Sequence, residues 1–230
     1  MTTTANESIC TGVILAGGLN SRFFGRNKAF IDIGEHRIID NIYGVFKSVF
    51  EEIILVTNQP MDYLGLDATI VTDVYPVRSS LTGIYSGLFH ATRPFIFVSA
   101  CDTPFLKKEM VETVVGAIEP GDAVVIPQTS DGTEQLCAAY SKTCLSLMER
   151  QIREEIFQIK RMFRKVRVKK IPEHILREND PELISFFNIN TREDYAIAKQ
   201  WLAGNRRTPG PETGPSHPEC ALSECTIKET

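Results

Sequence analysis

Val13-Ile-Leu-Ala-Gly-Gly-Leu-Asn-Ser-Arg22-Phe-Phe-Gly25-Arg-Asn-Lys28 decides how the rest of the chain is read. The stretch opens as a short apolar strand, becomes a glycine turn and leaves through a basic loop. Gly17 and Gly18 lack a Cβ, so the backbone there can take positive φ and lie directly against a ligand. Successive N–H groups in such a turn form a concavity suited to anionic oxygens. Arg22 adds a planar fork of donors and Lys28 a mobile point charge. These residue types describe a polyphosphate cradle at the carboxyl end of a strand. It is neither a dinucleotide fingerprint, because Leu19 and Asn20 follow the diglycine, nor a P-loop, because Ala29 follows Lys28.

Working outward, apolar strand-like runs alternate with helix-like stretches. Strands are expected at 52–57, 68–72, 94–100 and 123–127, and helices at 37–50, 82–91 and 107–118. Gly83 and Gly87 would let the second of those helices approach the sheet closely. The strands read as continuous apolar runs, so both of their faces are covered. That predicts an α/β fold, a three-layer α/β/α arrangement around a mostly parallel twisted sheet. Ligands of such sheets gather at the carboxyl ends of the strands. Gly17, Asn58, Asp73 and Asp102 each follow a strand end, which places all four on one rim.

Further along, Leu145, Met148, Ile152, Ile156, Ile159 and Phe163 recur at helical steps, predicting one amphipathic helix over 145–163. A strand is expected at 166–171 and another at 184–190. Thr191 would then cap a helix over 192–202. Residues 1–11 read as an extension, 12–203 as one domain, and 204–230, rich in Pro, Gly, Thr, Ser and Glu, as a disordered tail.

The 230 residues carry a formal net charge of −4, with 43% hydrophobic and 23% charged residues. No strong positive field points to nucleic acid, and no apolar run is long enough to span a bilayer. The amino terminus lacks the basic and apolar regions of a signal peptide, so a cytoplasmic location is expected. Six cysteines show neither C-x-x-C nor zinc-ligand spacing and read as free thiols.

Asp102 is the sharpest chemical candidate. A carboxylate at a strand end beside a phosphate cradle suits Mg²⁺, which takes one or two protein carboxylates and fills its shell with water and substrate phosphates. The plainer reading is an Asp at a helix start before Thr103-Pro104. Asp73 would hold a nucleoside or cap a turn. Asn190 would supply a second metal ligand or a phosphate contact, or else a helix cap. Seven cations between Lys160 and Lys170 would guide an anionic second substrate or simply form a solvated face. Together these parts favour in-line displacement at a nucleotide α-phosphate, with Arg22, Lys28 and a metal at Asp102 stabilising the charge that builds.

Leu15-Ala-Gly-Gly, Ser21-Arg22, Gly25 and Lys28 resemble the signature loop of nucleotidyltransferases with a glycosyltransferase-A-like fold. Cys101-Asp-Thr-Pro-Phe and Phe187-Asn-Ile-Asn-Thr191 narrow the resemblance, which runs from about Gly12 to Trp201, to the molybdenum cofactor guanylyltransferases. It implies GTP and Mo-molybdopterin as substrates, Mg²⁺ as metal, and a monomeric enzyme serving molybdoenzymes and their chaperones. By motif it implies GTP contacts at Leu15, Ala16 and Gly17 with the adjoining Gly18, at Lys28 on the phosphates, and at Asp73 on the nucleoside. Asp102 would bind GTP through Mg²⁺, Thr82-Gly83 would line the guanine pocket, and Asn58 would end the second strand. Phe23-Phe24 and Gln135-Leu136-Cys137 depart from the family pattern, the latter lacking a histidine found in many relatives. Cytidylyl or other nucleotidyl transfer to a pterin or sugar phosphate, and a nucleotide-binding module without catalysis, are the competing readings.

Overall fold

The computed structural model describes residues 9–17, 22–23 and 26–202. An eight-stranded sheet forms the middle layer. Its strands are β1 (Cys10–Leu15), β2 (Ile53–Val56), β3 (Thr69–Val71), β4 (Phe95–Ala100), β5 (Val124–Thr129), β6 (Gly132–Thr133), β7 (Cys137–Ser141) and β8 (Val168–Pro172). The order is β6-β5-β7-β4-β1-β2-β3, with β8 also paired to β5. β4, β1, β2 and β3 run parallel, Val13 lying opposite Val98 on one side and Ile54 on the other. β7 is antiparallel to both β4 and β5. The sheet is therefore mixed and mostly parallel, as the apolar runs imply.

Neighbouring residues of each strand feed different cores, which is why the runs lack alternation. Ile14, Leu55 and Phe97 enter one core with α1 (Ile38–Val49), α3 (Lys108–Gly116), α5 (Glu173–Asn179) and α6 (Arg192–Leu202). Val13, Ile54 and Val98 enter the other, against α2 (Ser80–His90) and α4 (Leu145–Arg153). α2 lies close on β1 because its facing positions are glycines. A Cβ on Gly87 would sit 2.7 Å from Val13 Cγ1, and one on Gly83 3.2 Å from Leu15 Cδ2.

Two expected elements come out differently. Residues 145–163 are not one helix: α4 stops at Arg153 and Ile159–Arg164 forms a separate 3₁₀ segment. Glu155 at φ 57° turns the chain, and Gln151 Nε2 donates to the carbonyls of Ile156 and Gln158 at 3.2 and 3.3 Å. The break thus has its own hydrogen bonds, and Ile159 and Met162 still reach the α4 core. Residues 184–190 are not a strand. Leu183 at φ 52° starts a short 3₁₀ turn, and the buried Asp180 holds it by accepting from Ser185 N at 2.8 Å and pairing with Lys107 at 2.8 Å. β7 and α5 carry no periodic signature strong enough to announce them, since Cys-Ala-Ala-Tyr-Ser lacks β-branched residues.

Opposite the site, Glu52 ties the start of β1 to the turn before β4. It accepts from the buried Thr11 hydroxyl, from Thr92 N at 3.1 Å and from Thr92 Oγ1 at 2.9 Å. Partial burial pushes its pKa up, but these donors and Arg93 outweigh that and hold the carboxyl below its usual range. Its contribution is therefore present above the unfolded-state pKa and lost as pH falls through the folded one. Glu52→Gln should cost about 1–2 kcal/mol at pH 7. Urea titrations should show that gap narrowing below about pH 4, where an unfolded glutamate titrates. A gap independent of pH would refute the assignment.

Candidate active site

The parallel run of β1, β2, β3 and β4 brings their carboxyl ends to one edge, where a cleft of about 320 Å³ opens. Leu15, Gly17, Lys28, Asp73, Gly83, Asp102 and Asn190 all line it. Segments up to 175 positions apart in the chain (Leu15 to Asn190) therefore share one wall, as the rim argument requires.

Lys28 opens the 3₁₀ segment Lys28–Phe30, whose N-cap is Asn27, its Oδ1 accepting from Ala29 N at 3.1 Å. Asn27 Nδ2 in turn donates to the hydroxyl of buried Tyr63 at 2.9 Å, and Tyr63 packs on Phe30 with ring centroids 4.9 Å apart. The lysine is thereby held with only 4% of its surface exposed, its Nζ donating to Asn190 Oδ1 at 3.0 Å. The backbone of Arg22 pairs with that of Asn27, the residue before Lys28.

Asp102 follows β4. Its carbonyl accepts from Ile189 N at 2.9 Å, joining the β4 end to the loop that carries Asn190. Its Oδ1 is buried and has no hydrogen-bond partner among the described residues. Burial raises the Asp102 pKa, and the charge of Lys28 offsets part of that. Asp102 does not cap α3, which begins six residues later at Lys108. A half-buried carboxylate whose buried oxygen is idle is costly unless something else binds it.

Asp73 and Asn58 meet at the far end of the cleft, where Asn58 Nδ2 donates to Asp73 Oδ2 at 2.7 Å. Burial pushes the Asp73 pKa up against the opposing effects of Asn58 and Arg78. Asn58 itself acts through Asp73 rather than lining the cleft.

Gly17 keeps its place without left-handed backbone. A Cβ there would touch Asn58 Nδ2 at 3.4 Å, an ordinary contact, so the glycine leaves approach room rather than supplying an unusual φ. Ala16 and Thr82 lie behind the wall. The Ala16 amide already donates to Val56 O at 2.8 Å, which removes it as a free phosphate donor. Thr82 is fully buried, its hydroxyl bonded to Ser79 Oγ at 2.9 Å. Gly18 and Gly25 fall outside the described residues, as do 1–8 and 203–230.

Arg78, Ser79 and Ser80 also line the cleft. The sequence does carry a signal for them: Ser79 caps α2 by accepting from Thr82 N at 3.1 Å, a common start before an apolar helical run. Asn190 is no helix cap. Thr191 caps α6, its Oγ1 accepting from Asp194 N at 3.1 Å while Asp194 Oδ2 accepts from the amides of Asn190 and Thr191. Of the basic run, Arg167 pairs with Asp122 at 3.0 Å and Lys169 with Glu119 at 2.6 Å, so part of it is neutralised at the surface.

Residues 12–170 match the MobA-like NTP transferase domain family. A molybdenum cofactor guanylyltransferase of Desulfosudis oleivorans is 44% identical over 196 residues, covering 85% of this chain and 97% of that protein. A probable molybdenum cofactor guanylyltransferase of Clostridium perfringens is 34% identical, covering 80% and 93%. Among solved structures, molybdopterin-guanine dinucleotide biosynthesis protein A from Archaeoglobus fulgidus superposes with a TM-score of 0.75 at 28% identity, over 84% of this chain and 99% of that one. The family match, these relatives and the fold shared with the Archaeoglobus protein make the chain a nucleotidyltransferase. It belongs to the molybdenum cofactor guanylyltransferase family within the MobA-like NTP transferases.

Proposed function

We propose that the enzyme transfers GMP from GTP to the terminal phosphate of Mo-molybdopterin, giving molybdopterin guanine dinucleotide and pyrophosphate. An oxygen of the acceptor phosphate attacks the α-phosphorus of GTP, and the bond from that phosphorus to the α,β-bridging oxygen breaks. Both electrons of that bond leave with pyrophosphate. The attacking oxygen is already ionised, so no general base is needed, consistent with a cleft wall that carries no histidine among its described residues.

The observation that carries this reading is the buried Lys28, bonded to Asn190, sharing one cleft with the idle Asp102 oxygen. Lys28 is a fixed cation with little water around it, the preorganised arrangement that stabilises charge on non-bridging oxygens most strongly. Asp73, held by Asn58, accepts hydrogen bonds from the nucleoside. In this reading Arg22 supplies a second positive charge to the polyphosphate.

The residues present fit a magnesium ion. Asp102 has an uncommitted buried oxygen, and no group of three or more His, Cys, Asp or Glu side chains able to hold a metal forms among the described residues. That donor set is too poor for a protein-only cage and matches an ion that completes its shell with water and phosphate. Asp102 would hold it, and Asn190 Oδ1, with a second lone pair beyond the one taken by Lys28, would assist. When bound, Mg²⁺ neutralises charge on the phosphates as a Lewis acid.

In the same reading the enzyme works as a cytoplasmic monomer and passes its product to molybdoenzymes through their chaperones. Among the described residues, no helix is long and apolar enough to cross a membrane. Pyrophosphate release should be measured with Mg²⁺, a molybdopterin acceptor, and GTP or CTP in turn. Release with GTP alone is the expected result. Release with CTP alone would replace guanylyl by cytidylyl transfer, and binding without release would make the chain a non-catalytic nucleotide module.

A further inference from the structure

Asn190 reaches Lys28 from the segment 184–191, which is fixed at its start, middle and end. The start is held by Asp180, a fully buried carboxylate that closes α5, its amide donating to Leu176 O at 3.0 Å. Asp180 Oδ2 accepts from Ser185 N at 2.8 Å, and Oδ1 pairs with Lys107 Nζ at 2.8 Å. The Lys107 amide in turn donates to the buried Ser185 Oγ at 3.1 Å. In the middle, Ile189 buries its side chain completely while its amide donates to Asp102 O at 2.9 Å. At the end, Asp194 Oδ2 accepts from the amides of Asn190 and Thr191 at 2.8 and 2.7 Å.

The first two ties reach one partner, the loop 102–107 between β4 and α3. Asp102 heads that loop and Lys107 ends it, so the segment is stitched to the loop at both of the loop's ends. Between the stitches, the rings of Phe105 and Phe187 lie 6.0 Å apart, and Trp201 of α6 packs on both, at 5.6 and 4.7 Å. Asp102 and Asn190 therefore belong to one joined unit, and the Asp180–Lys107 pair is its far corner. Asp180 itself is not on the cleft wall.

We propose that Asp180 is a positioning residue for the nucleotide site: through Ser185 and Lys107 it sets where Asn190 stands relative to Lys28 and Asp102. This rests on the reading of Asp102 and Asn190 as the groups that hold Mg²⁺. A buried ion pair contributes little net stability, because taking both charges out of water costs about what their attraction gains. What it supplies here is direction. One carboxylate answers Ser185 N and Lys107 Nζ together, and an apolar side chain of the same size would answer neither. Asn190 has one side-chain oxygen to share between Lys28 and an ion, so a small shift of its backbone disturbs both contacts.

The test titrates Mg²⁺ against the affinity of a fluorescent GTP analogue, a measurement that needs neither acceptor nor turnover. Asp180→Asn keeps the shape and an acceptor for Ser185 N but loses the charge that Lys107 pairs with. It should raise the Mg²⁺ concentration for half of the affinity gain about tenfold, a usual loss when an outer partner of a metal ligand is removed, and leave metal-free affinity unchanged. Asn190→Ala should shift the response the same way, and adding Asp180→Asn to it should shift it no further, because Asp180 acts only through Asn190. A wild-type Mg²⁺ response in Asp180→Asn, or two shifts that multiply in the double variant, would overturn the proposal. Trp201, the chain's only tryptophan, reports the segment itself. Acrylamide should quench it more strongly in Asp180→Asn, and stronger quenching with an unaltered Mg²⁺ response would make Asp180 purely structural. Ser185→Ala breaks the same junction without leaving a buried charge unpaired, so it decides by the same shift if Asp180→Asn fails to fold. Failure of the metal reading shows in the wild type alone, as GTP affinity indifferent to Mg²⁺, and takes this proposal with it. Failure of the proposal by itself shows only in the variants.

Discussion

Asp102→Ala is expected to lower kcat for pyrophosphate release by about three orders of magnitude with the fold intact, since an ion and its phosphate contacts are worth several kcal/mol in the transition state. The structure explains why folding should survive. Asp102 Oδ1 makes no hydrogen bond among the described residues, and the link from Asp102 O to Ile189 N belongs to the backbone and remains. Removing a half-buried carboxylate with one buried, idle oxygen deletes a partly desolvated group rather than a packed one. Circular dichroism and GTP binding without metal should therefore resemble wild type, while Mg²⁺ no longer strengthens GTP binding. Turnover retained within about tenfold, with metal dependence unchanged, would remove Asp102 from the metal role.

Lys28→Met is expected to weaken GTP binding and to reduce kcat by about 10²- to 10³-fold, the usual loss when one preorganised stabilising group is deleted. Both parameters should move because a buried ammonium meets the phosphates in the ground state and meets more charge in the transition state. Methionine keeps the length and apolar stem but not the charge, so the wall formed by Asn27, Phe30 and Tyr63 stays filled. Lys28→Arg should not restore activity. Its planar fork does not fit a slot shaped around a point charge that is 4% exposed and bonded to Asn190 Oδ1 at 3.0 Å. An unchanged kcat in Lys28→Met would take the lysine out of the chemistry and leave it a structural tether for the Asn190 loop.

Much of the fold is legible from chemistry along the chain. Apolar runs such as Glu52-Ile-Ile-Leu-Val-Thr57 and Pro94-Phe-Ile-Phe-Val-Ser-Ala100 lack alternation because each strand faces two cores, and both were placed within a residue or two. What periodicity misses is any break made by a side chain rather than by glycine or proline. Gln151 stabilises the turn after α4, and Asp180 with Lys107 stabilises the turn at Leu183. Neither pairing has a local signature, since each depends on a bond formed only once the chain has folded.

Local residue order by itself determined the three-layer architecture, the common rim and the identity of Gly17, Lys28, Asp73 and Asp102 as its occupants. Strand-end position follows from hydrophobic runs, and parallel strands send their carboxyl ends one way. Only the tertiary structure decided which groups are free to act. It committed the Ala16 amide to Val56, turned Thr82 inward to Ser79, and drew Asn190 across 162 positions to Lys28. It also left an oxygen of Asp102 idle. Hydrogen-bond capacity is shared among neighbours in space, so the remainder available to a ligand is known only once those neighbours are in place.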